Sequence, residues 1–569
     1  MYPQPLPASK GGRADSTRTI KTKISLTILS KFLSQSIFRS PIAGALLVLS
    51  FAPFHMWYLS FVSLFLFLWV LRYGHPSSNR ITHYALHSFL FGLGVIFAGT
   101  WWIFGIYHFT YDFSIVKAVV VSVISLTSIT ILYFVPLGLL LWIAAKLPLK
   151  AITFASAWAL AELIRTMPFL GFPWYFVGTA FVETPLAGFA PLLGVFGVSW
   201  FVALIAYCLY SIFLESIKIS QTREAFTNTP SKKILLVNSI CIMAVFMTGY
   251  ALQKIEWTKK LDSNALSVML MQTHNTKEGQ LENENGDKID NQKRKSETDI
   301  NADKLIKRYL TEQDSRKTKP DLVLWPENAL SKSYLEDGEP VMLLGDRIRE
   351  LDVTVMSGAA TYQVNEDRDR SYRTSIIQFA EDVDYYHKRK LVPIYEHTSF
   401  PKWLVELLPI LDSGLATVPA TRPQKPFKVR ENDIGGTICF EIVFPDFWAS
   451  QAKHTGLVVN VSNDDGISYK NLGAYHIFQA GQMRAVETRR SVVRAANAGI
   501  SAIIDPYGNV KNQLVMKEGS LYGTVSMRSG DTPFMIFGSK PIITMSIMII
   551  LFSLFWRARS QRRVKQSST

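Results

Sequence analysis

Three ionisable residues stand at the ends of apolar runs in this 569-residue chain: Glu327 closes DLVLWPE, Lys388 lies in YYHKRKLVP, and Cys439 follows IGGTI. A thiol becomes a nucleophile once deprotonated, a carboxylate can take its proton, and an ammonium group can balance a developing oxyanion. Strand ends are also where layered α/β domains place their chemistry. Each residue has a plain structural reading too: a surface carboxylate, a solvated lysine in a basic run, a small buried thiol. A Cys–His dyad would need His397 or His476 beside Cys439, and neither sits in a protease-like pattern. The histidines show no HExxH spacing, there is no CxxC pair, and no nucleotide-binding glycine pattern follows a strand, so neither a metal nor a cofactor is expected.

The elements that must position these residues begin at Ala265. Short β-branched runs at 265–272, 321–327, 353–360, 374–380, 434–441, 456–462, 501–508 and 523–527 are expected strands. Helices are expected at 303–313, 342–351 and 473–490, so residues 260–531 are read as a layered α/β domain. The polar, low-complexity stretch 276–299 is read as a solvated loop.

Outside that domain the chain is apolar. Hydrophobic residues make up 48% of it, charged residues 18%, and mean hydropathy is +0.15, which excludes a disordered chain and an ordinary cytosolic enzyme. The net charge of +15 lies entirely in the hydrophobic parts, because residues 255–540 carry 37 Lys/Arg against 39 Asp/Glu. Nucleic acid is therefore excluded as a partner, and the membrane is the expected one. Seven spans are expected in 41–255, at 41–55, 56–72, 87–108, 115–145, 151–169, 192–214 and 234–253, with an eighth at 541–556. With the N-terminus cytoplasmic, the segments on that side (including the basic tail 1–40 and the residues after 556) carry twenty Lys/Arg, and the opposite loops carry none. Both termini are thus expected in the cytoplasm, with 255–540 outside it, and no cleavable signal peptide is read at the start. The aromatic, Gly/Pro-rich stretch 166–194 reads as an interfacial belt or a lipid-facing vestibule. Three cysteines cannot build a disulfide framework. Cys208 and Cys241 fall in apolar runs, whereas Cys439 would be a free thiol outside the cytoplasm, where an unused thiol is an oxidation liability.

Taken together, WPE, Lys388 shortly before LVP, and Cys439-Phe440-Glu441 resemble the Glu-Lys-Cys triad of the nitrilase superfamily. FAPF at 51–54, the Trp101–Trp102 pair, SAWALAELIR at 156–165, GFPW at 171–174 and the eight-span layout are similar to the apolipoprotein N-acyltransferase family within it. The resemblance implies an extracytoplasmic αββα sandwich, with domain 260–531 set between the spans and 541–569 forming the last span and a basic tail. It implies Cys439 as nucleophile, Glu327 as proton acceptor and donor, Lys388 as oxyanion stabiliser, and Glu396 and Glu441 as supporting carboxylates. It further implies a bacterial inner-membrane protein with a periplasmic catalytic domain and a phospholipid acyl donor, typically phosphatidylethanolamine. The implied acceptor is the α-amino group of a diacylglyceryl-cysteine at an apolipoprotein N-terminus.

One segment departs from the family pattern. After Ser462-Asn463-Asp464 the family continues Ala-Trp-Phe-Gly, on a flap over the active site; here Asp465-Gly466-Ile467 follows, with Tyr469 two residues on. Ile467 and Tyr469 could replace the missing aromatic contact. The departure also leaves open a paralogue that acylates or hydrolyses another amine or amide, or a weak homologue kept as a lipoprotein-binding protein.

Overall fold

The computed structural model describes residues 36–73, 80–167, 171–221, 229–273, 301–314, 319–330, 339–364, 370–392, 396, 417–468 and 472–567. The expected loop 276–299, His397 and Tyr469 lie outside these residues, as does most of the basic N-terminal tail.

The apolar part forms helices α1 (Ser36–Val48), α2 (Leu59–Tyr73), α3 (Ile81–Gly99), α4 (Ile115–Ala145), α5 (Lys150–Ile164), α6 (Ala190–Gln221) and α7 (Thr229–Gln253). Five described helices are long and apolar enough to cross a membrane: those spanning Ile81–Gly99, Ile115–Ala145, Pro185–Ser220, Pro230–Gln253 and Lys540–Arg563. The helices standing at three other expected spans are shorter, at 13, 15 and 15 residues. The span expected at 87–108 is also not one helix. Helix α3 ends at Gly99, and the Trp101–Trp102 pair leads into a short turn at Ile103–Gly105 and a π-turn at Ile106–Thr110.

Twelve strands form two six-stranded sheets. The first runs β12 (Gly519–Ser529), β1 (Lys259–Gln272), β2 (Leu322–Leu330), β3 (Thr354–Val364), β4 (Arg370–Phe379), β5 (Val383–His387). The second runs β6 (Phe427–Val429), β7 (Asn432–Ile438), β8 (Leu457–Asn463), β9 (Ser491–Asn497), β10 (Ile500–Ile504), β11 (Val510–Val515). Read in these directions, both sheets pair antiparallel, parallel, parallel, antiparallel, antiparallel. Each sheet thus centres on a strand with two parallel neighbours, β2 in one and β8 in the other.

Alternation along β1 builds the layers. Leu266, Val268 and Leu270 join the core shared with the second sheet. Met269 and Met271 point the other way, onto Leu305, Ile306 and Tyr309 of α8 (Asn301–Asp314) and Leu344 and Ile348 of α9 (Glu339–Glu350). The second sheet is covered by α10 (Pro445–Ala452) and α11 (Leu472–Thr488), through Phe447, Trp448, Ile477 and Val486. The result is a helix–sheet–sheet–helix sandwich, followed by α12 (Lys540–Ser567). Strands β5, β6, β9 and β11 and helix α10 were not among the expected elements, and the strand expected at 434–441 stops at Ile438.

Sandwich and helices share one continuous apolar core. Helix α6 is kinked at Gly194 (φ +67°), where the Phe534 ring fills the place a Cβ would take. The kink frees the Val195 N–H, which donates to Glu487 Oε1 of α11 at 2.7 Å. Glu487 is itself held by the Arg484 guanidinium, at 2.7 and 2.9 Å. Burial pushes the Glu487 carboxyl up to about 7, against the pull of Arg484.

Candidate active site

The three sequence-predicted residues converge between the two central strand ends. Glu327 is on β2, Lys388 directly follows β5, and Cys439 directly follows β7. Lys388 Nζ donates to Glu327 Oε1 at 3.3 Å and to Glu396 Oε1 at 2.6 Å, and the lysine is only 1% exposed. Glu327 Oε2 accepts the Asn463 N–H at 2.7 Å, tying the end of β2 to the end of β8. Cys439 Sγ lies 3.9 Å from the Asn463 carbonyl, on the same residue whose N–H Glu327 accepts.

Local structure explains each placement. Residues 439–443 turn out of β7 as a short 3-10 helix, and Cys439 itself takes a left-handed conformation at φ +48°. A non-glycine residue holds that conformation only when its surroundings enforce it. Glu441 supplies the enforcement. Its Oε2 accepts the Ile438 N–H at 2.8 Å and the Tyr386 hydroxyl at 2.9 Å. Its Oε1 accepts the N–H groups of Arg389 and Lys390 at 2.7 and 3.0 Å. One fully buried carboxylate thereby locks the cysteine turn to the segment carrying Lys388. Burial pushes the Glu441 carboxyl up to about 7 despite these donors.

Strand β2 loses its ladder register between Trp325 and Leu330, and Asn328 sits at φ +60°. The irregularity swings Glu327 towards the second sheet. It requires Gly358 on β3, where a Cβ would come within 2.4 Å of the Glu327 Cα. Behind Cys439, Asp464 receives both ion-pair hydrogen bonds from Arg494 Nη2, at 2.6 and 2.7 Å, and a third from Ser462 at 2.6 Å. This buried pair fixes the end of β8 and so the Asn463 N–H.

The electrostatics follow from burial. Desolvation raises the Glu327 carboxyl above the usual range, opposed by the Lys388 charge. Desolvation would lower Lys388, but the two carboxylates outweigh it and hold the ammonium well above its ordinary value. Burial, then the Glu327 charge, push the Cys439 thiol up to about 12. The resting Cys439 is therefore a thiol, facing the Glu327 carboxyl group with a fixed ammonium beside both. That arrangement can form a thiolate only by passing a proton to Glu327.

His476 plays no part in this cluster. Its Nδ1 faces Trp174 Nε1 at 3.1 Å and the Tyr175 hydroxyl at 3.3 Å, and burial lowers its pKa to about 3. The GFPW loop it touches is fixed from the helical side, where Arg165 donates to the Trp174 and Tyr175 carbonyls, each at 3.1 Å. Among the described residues no group of His, Cys, Asp and Glu is placed to hold a metal ion.

Asp465-Gly466-Ile467 forms a 3-10 turn beside the Ile103–Thr110 segment. The Asp465 N–H donates to Asn463 Oδ1 at 3.2 Å. Ile467 is partly buried against the core, near Gly473 and the Trp102 ring. The turn that departs from the family pattern thus lies between the strand end carrying Asn463 and the helical part of the molecule.

Known proteins match both parts of the chain. Residues 43–208 match the model of the apolipoprotein N-acyltransferase N-terminal domain, and residues 295–531 match that of carbon-nitrogen hydrolases. The apolipoprotein N-acyltransferase of Azotobacter vinelandii is 30% identical over 534 residues, covering 91% of this chain and 95% of that one. The chain belongs to the apolipoprotein N-acyltransferase family. Members from Pseudomonas aeruginosa strain LESB58 (29% identical, 92% of this chain, 96% of that one) and Coxiella burnetii (27%, 90% and 98%) span it equally fully. Among solved structures, a carbon-nitrogen hydrolase from Helicobacter pylori aligns with 46% of this chain and 88% of its own, at 13% identity and TM-score 0.32.

Proposed function

We propose that this enzyme takes an acyl chain from a membrane phospholipid onto Cys439 and passes it to the α-amino group of a diacylglyceryl-cysteine at an apolipoprotein N-terminus. The observation that carries the reading is that Glu327 accepts from Lys388 and from the N–H of Asn463, the residue whose carbonyl Cys439 Sγ faces, in a chain that aligns over 91% of its length with an apolipoprotein N-acyltransferase. In the first half-reaction Glu327 takes the Cys439 proton as sulfur attacks the ester carbonyl. The Lys388 ammonium stabilises the oxyanion. Collapse breaks the ester C–O bond, Glu327 returns the proton to the leaving alcohol, and a lysophospholipid departs. In the second, the neutral amine attacks the thioester and Glu327 accepts its proton; collapse breaks the C–S bond, Glu327 passes the proton to the leaving sulfur, and the amide departs with the Cys439 thiol restored. Glu396 holds Lys388 in place, and Glu441 holds the cysteine turn. Two substrates sharing one nucleophile give ping-pong kinetics. The test is complementation of a conditional null for the acyltransferase, with the empty vector and a Cys439 variant alongside.

The proposed setting is a bacterial inner membrane crossed eight times, with the sandwich on the periplasmic side and both termini cytoplasmic. The twenty-to-none distribution of Lys/Arg supports it. A reporter that needs export is expected to be active when fused after Lys259 and inactive after Lys233. The reverse pattern would overturn the topology and the lipoprotein reading with it.

The Asp465–Ile467 turn motivates a second reading, in which the enzyme accepts a different set of amines. The packing of Ile467 near Trp102 favours the first. Replacing Asp465-Gly466-Ile467 by Ala-Trp-Phe is therefore expected to leave acyl-thioester formation unchanged and aminolysis within about threefold. Aromatic burial is worth about 2–3 kcal/mol, so a shift of one to two decades in aminolysis alone would assign acceptor choice to this turn.

A further inference from the structure

The acyl-transfer reading makes no use of a cleft at the other end of the helices. It measures about 680 Å³ and is lined by Lys146, Leu147 and Pro148 of the α4–α5 turn and by Trp556, Arg557 and Ser560 of α12. Helix α12 starts at Lys540, next to the short helix Pro533–Phe537 that packs on α6. At about 1.5 Å per residue, Trp556 lies roughly 24 Å further along, away from the sandwich.

Sequence and structure give this cleft a definite chemistry. The apolar stretch of α12 ends at Trp556, which is 54% exposed, and Arg557, Arg559, Arg562 and Arg563 follow within two turns. Neither α4, α12 nor the turn between α4 and α5 contains an acidic residue. The Lys146 ammonium sits 3.2 Å from the centre of the Trp142 ring. No carboxylate of these elements neutralises Lys146 or Arg557, and both line the same space.

We propose that this cleft binds the phosphodiester headgroup of an anionic phospholipid, at the membrane face opposite the catalytic domain. Arg557 offers a planar fork that matches two phosphate oxygens, and Lys146 adds a point charge. The Ser560 hydroxyl donates to the Trp556 carbonyl at 3.0 Å, so the two cations carry the recognition. Trp556 stands where hydrocarbon gives way to headgroups, a position suited to an indole ring. The same step from apolar to basic sequence favours a lipid over free phosphate, because the acyl chains can lie along the apolar side of α12. A zwitterionic headgroup brings its own cation and would meet two more. The volume is in the range of small-molecule sites. The site rests on α12 crossing a bilayer, which a further export-dependent reporter fused after Thr569, expected to be inactive, tests separately.

The experiment is native mass spectrometry of the full-length protein in detergent, titrated with phosphatidylglycerol, phosphatidylcholine or inorganic phosphate. Wild type is expected to retain phosphatidylglycerol in preference to the other two. Lys146→Gln/Arg557→Gln is expected to weaken that binding roughly thirtyfold, whereas Arg557→Lys, which keeps the charge, stays within about fivefold. Thermal unfolding checks that the variants are folded; should the double variant unfold, Arg557→Gln alone is compared, with roughly a fivefold loss expected. Undiminished phosphatidylglycerol binding by the folded variant overturns the site, as does equal retention of phosphatidylcholine. Inorganic phosphate binding as tightly as the lipid overturns the lipid assignment. If the reporters after Lys259 and Thr569 together place α12 across the membrane while these results fail, this site falls and the acyl-transfer reading stands.

Discussion

Cys439→Ser is expected to abolish acyl transfer while the protein still folds and inserts. The thiol is already pushed up to about 12 by burial and the Glu327 charge, and a serine hydroxyl in the same place is a weaker acid still. A buried carboxylate cannot deprotonate it at a useful rate. The substitution removes no contact of the fold: Sγ touches the Asn463 carbonyl at 3.9 Å, and the turn is held by the Glu441 carboxylate and the backbone. The expected loss is of the order of the whole catalysed rate, with both half-reactions silent. Acyl transfer assayed on membranes with matched amounts of protein checks it, and a Ser variant with measurable turnover would remove Cys439 from the mechanism.

Lys388→Arg is expected to be nearly as damaging as Lys388→Ala. The lysine is 1% exposed, with its ammonium 2.6 Å from Glu396 and 3.3 Å from Glu327. A guanidinium is longer and planar, and its fork would pair with one carboxylate instead of bridging both while aiming a proton at the oxyanion. Loss of one oxyanion donor costs about 2.7–4 kcal/mol, or about 10²–10³ in rate. Alanine loses more, because it leaves Glu327 and Glu396 facing each other without a cation between them. The rate of acyl-enzyme formation is the measurement, and an Arg variant within about tenfold of wild type would reduce Lys388 to background charge.

The candidate site was legible in the sequence because Glu327 and Cys439 each end an apolar run, where sheets present side chains, and because Lys388 stands ahead of LVP between them in the order of the family motif. The turn at Cys439 was not. IGGTICFE is apolar enough to read as one strand to residue 441, and nothing in it announces a left-handed cysteine at 439. That conformation depends on contacts made only in the fold, where Glu441 at the end of the same segment accepts from Ile438, Tyr386, Arg389 and Lys390. Strand β9 was missed for a related reason. Its Arg494 looks like a surface residue, yet it is 0% exposed and paired with Asp464. Short polar strands such as β5 and β11 owe their form to their neighbours in the sheet. In the helical part, hydropathy located the apolar segments but not the break after Gly99, because the run stays apolar through Trp101–Trp102 while the backbone changes course.

The central claim is that acyl groups pass through the sulfur of Cys439. Protein purified from membranes, digested and read by mass spectrometry with and without hydroxylamine, tests it most directly. The expected result is an acyl chain on the peptide containing Cys439, removed by hydroxylamine as a thioester is, and absent from Cys439→Ser. An acyl group found instead on Cys208 or Cys241, or one on the Cys439 peptide that resists hydroxylamine, would contradict the account.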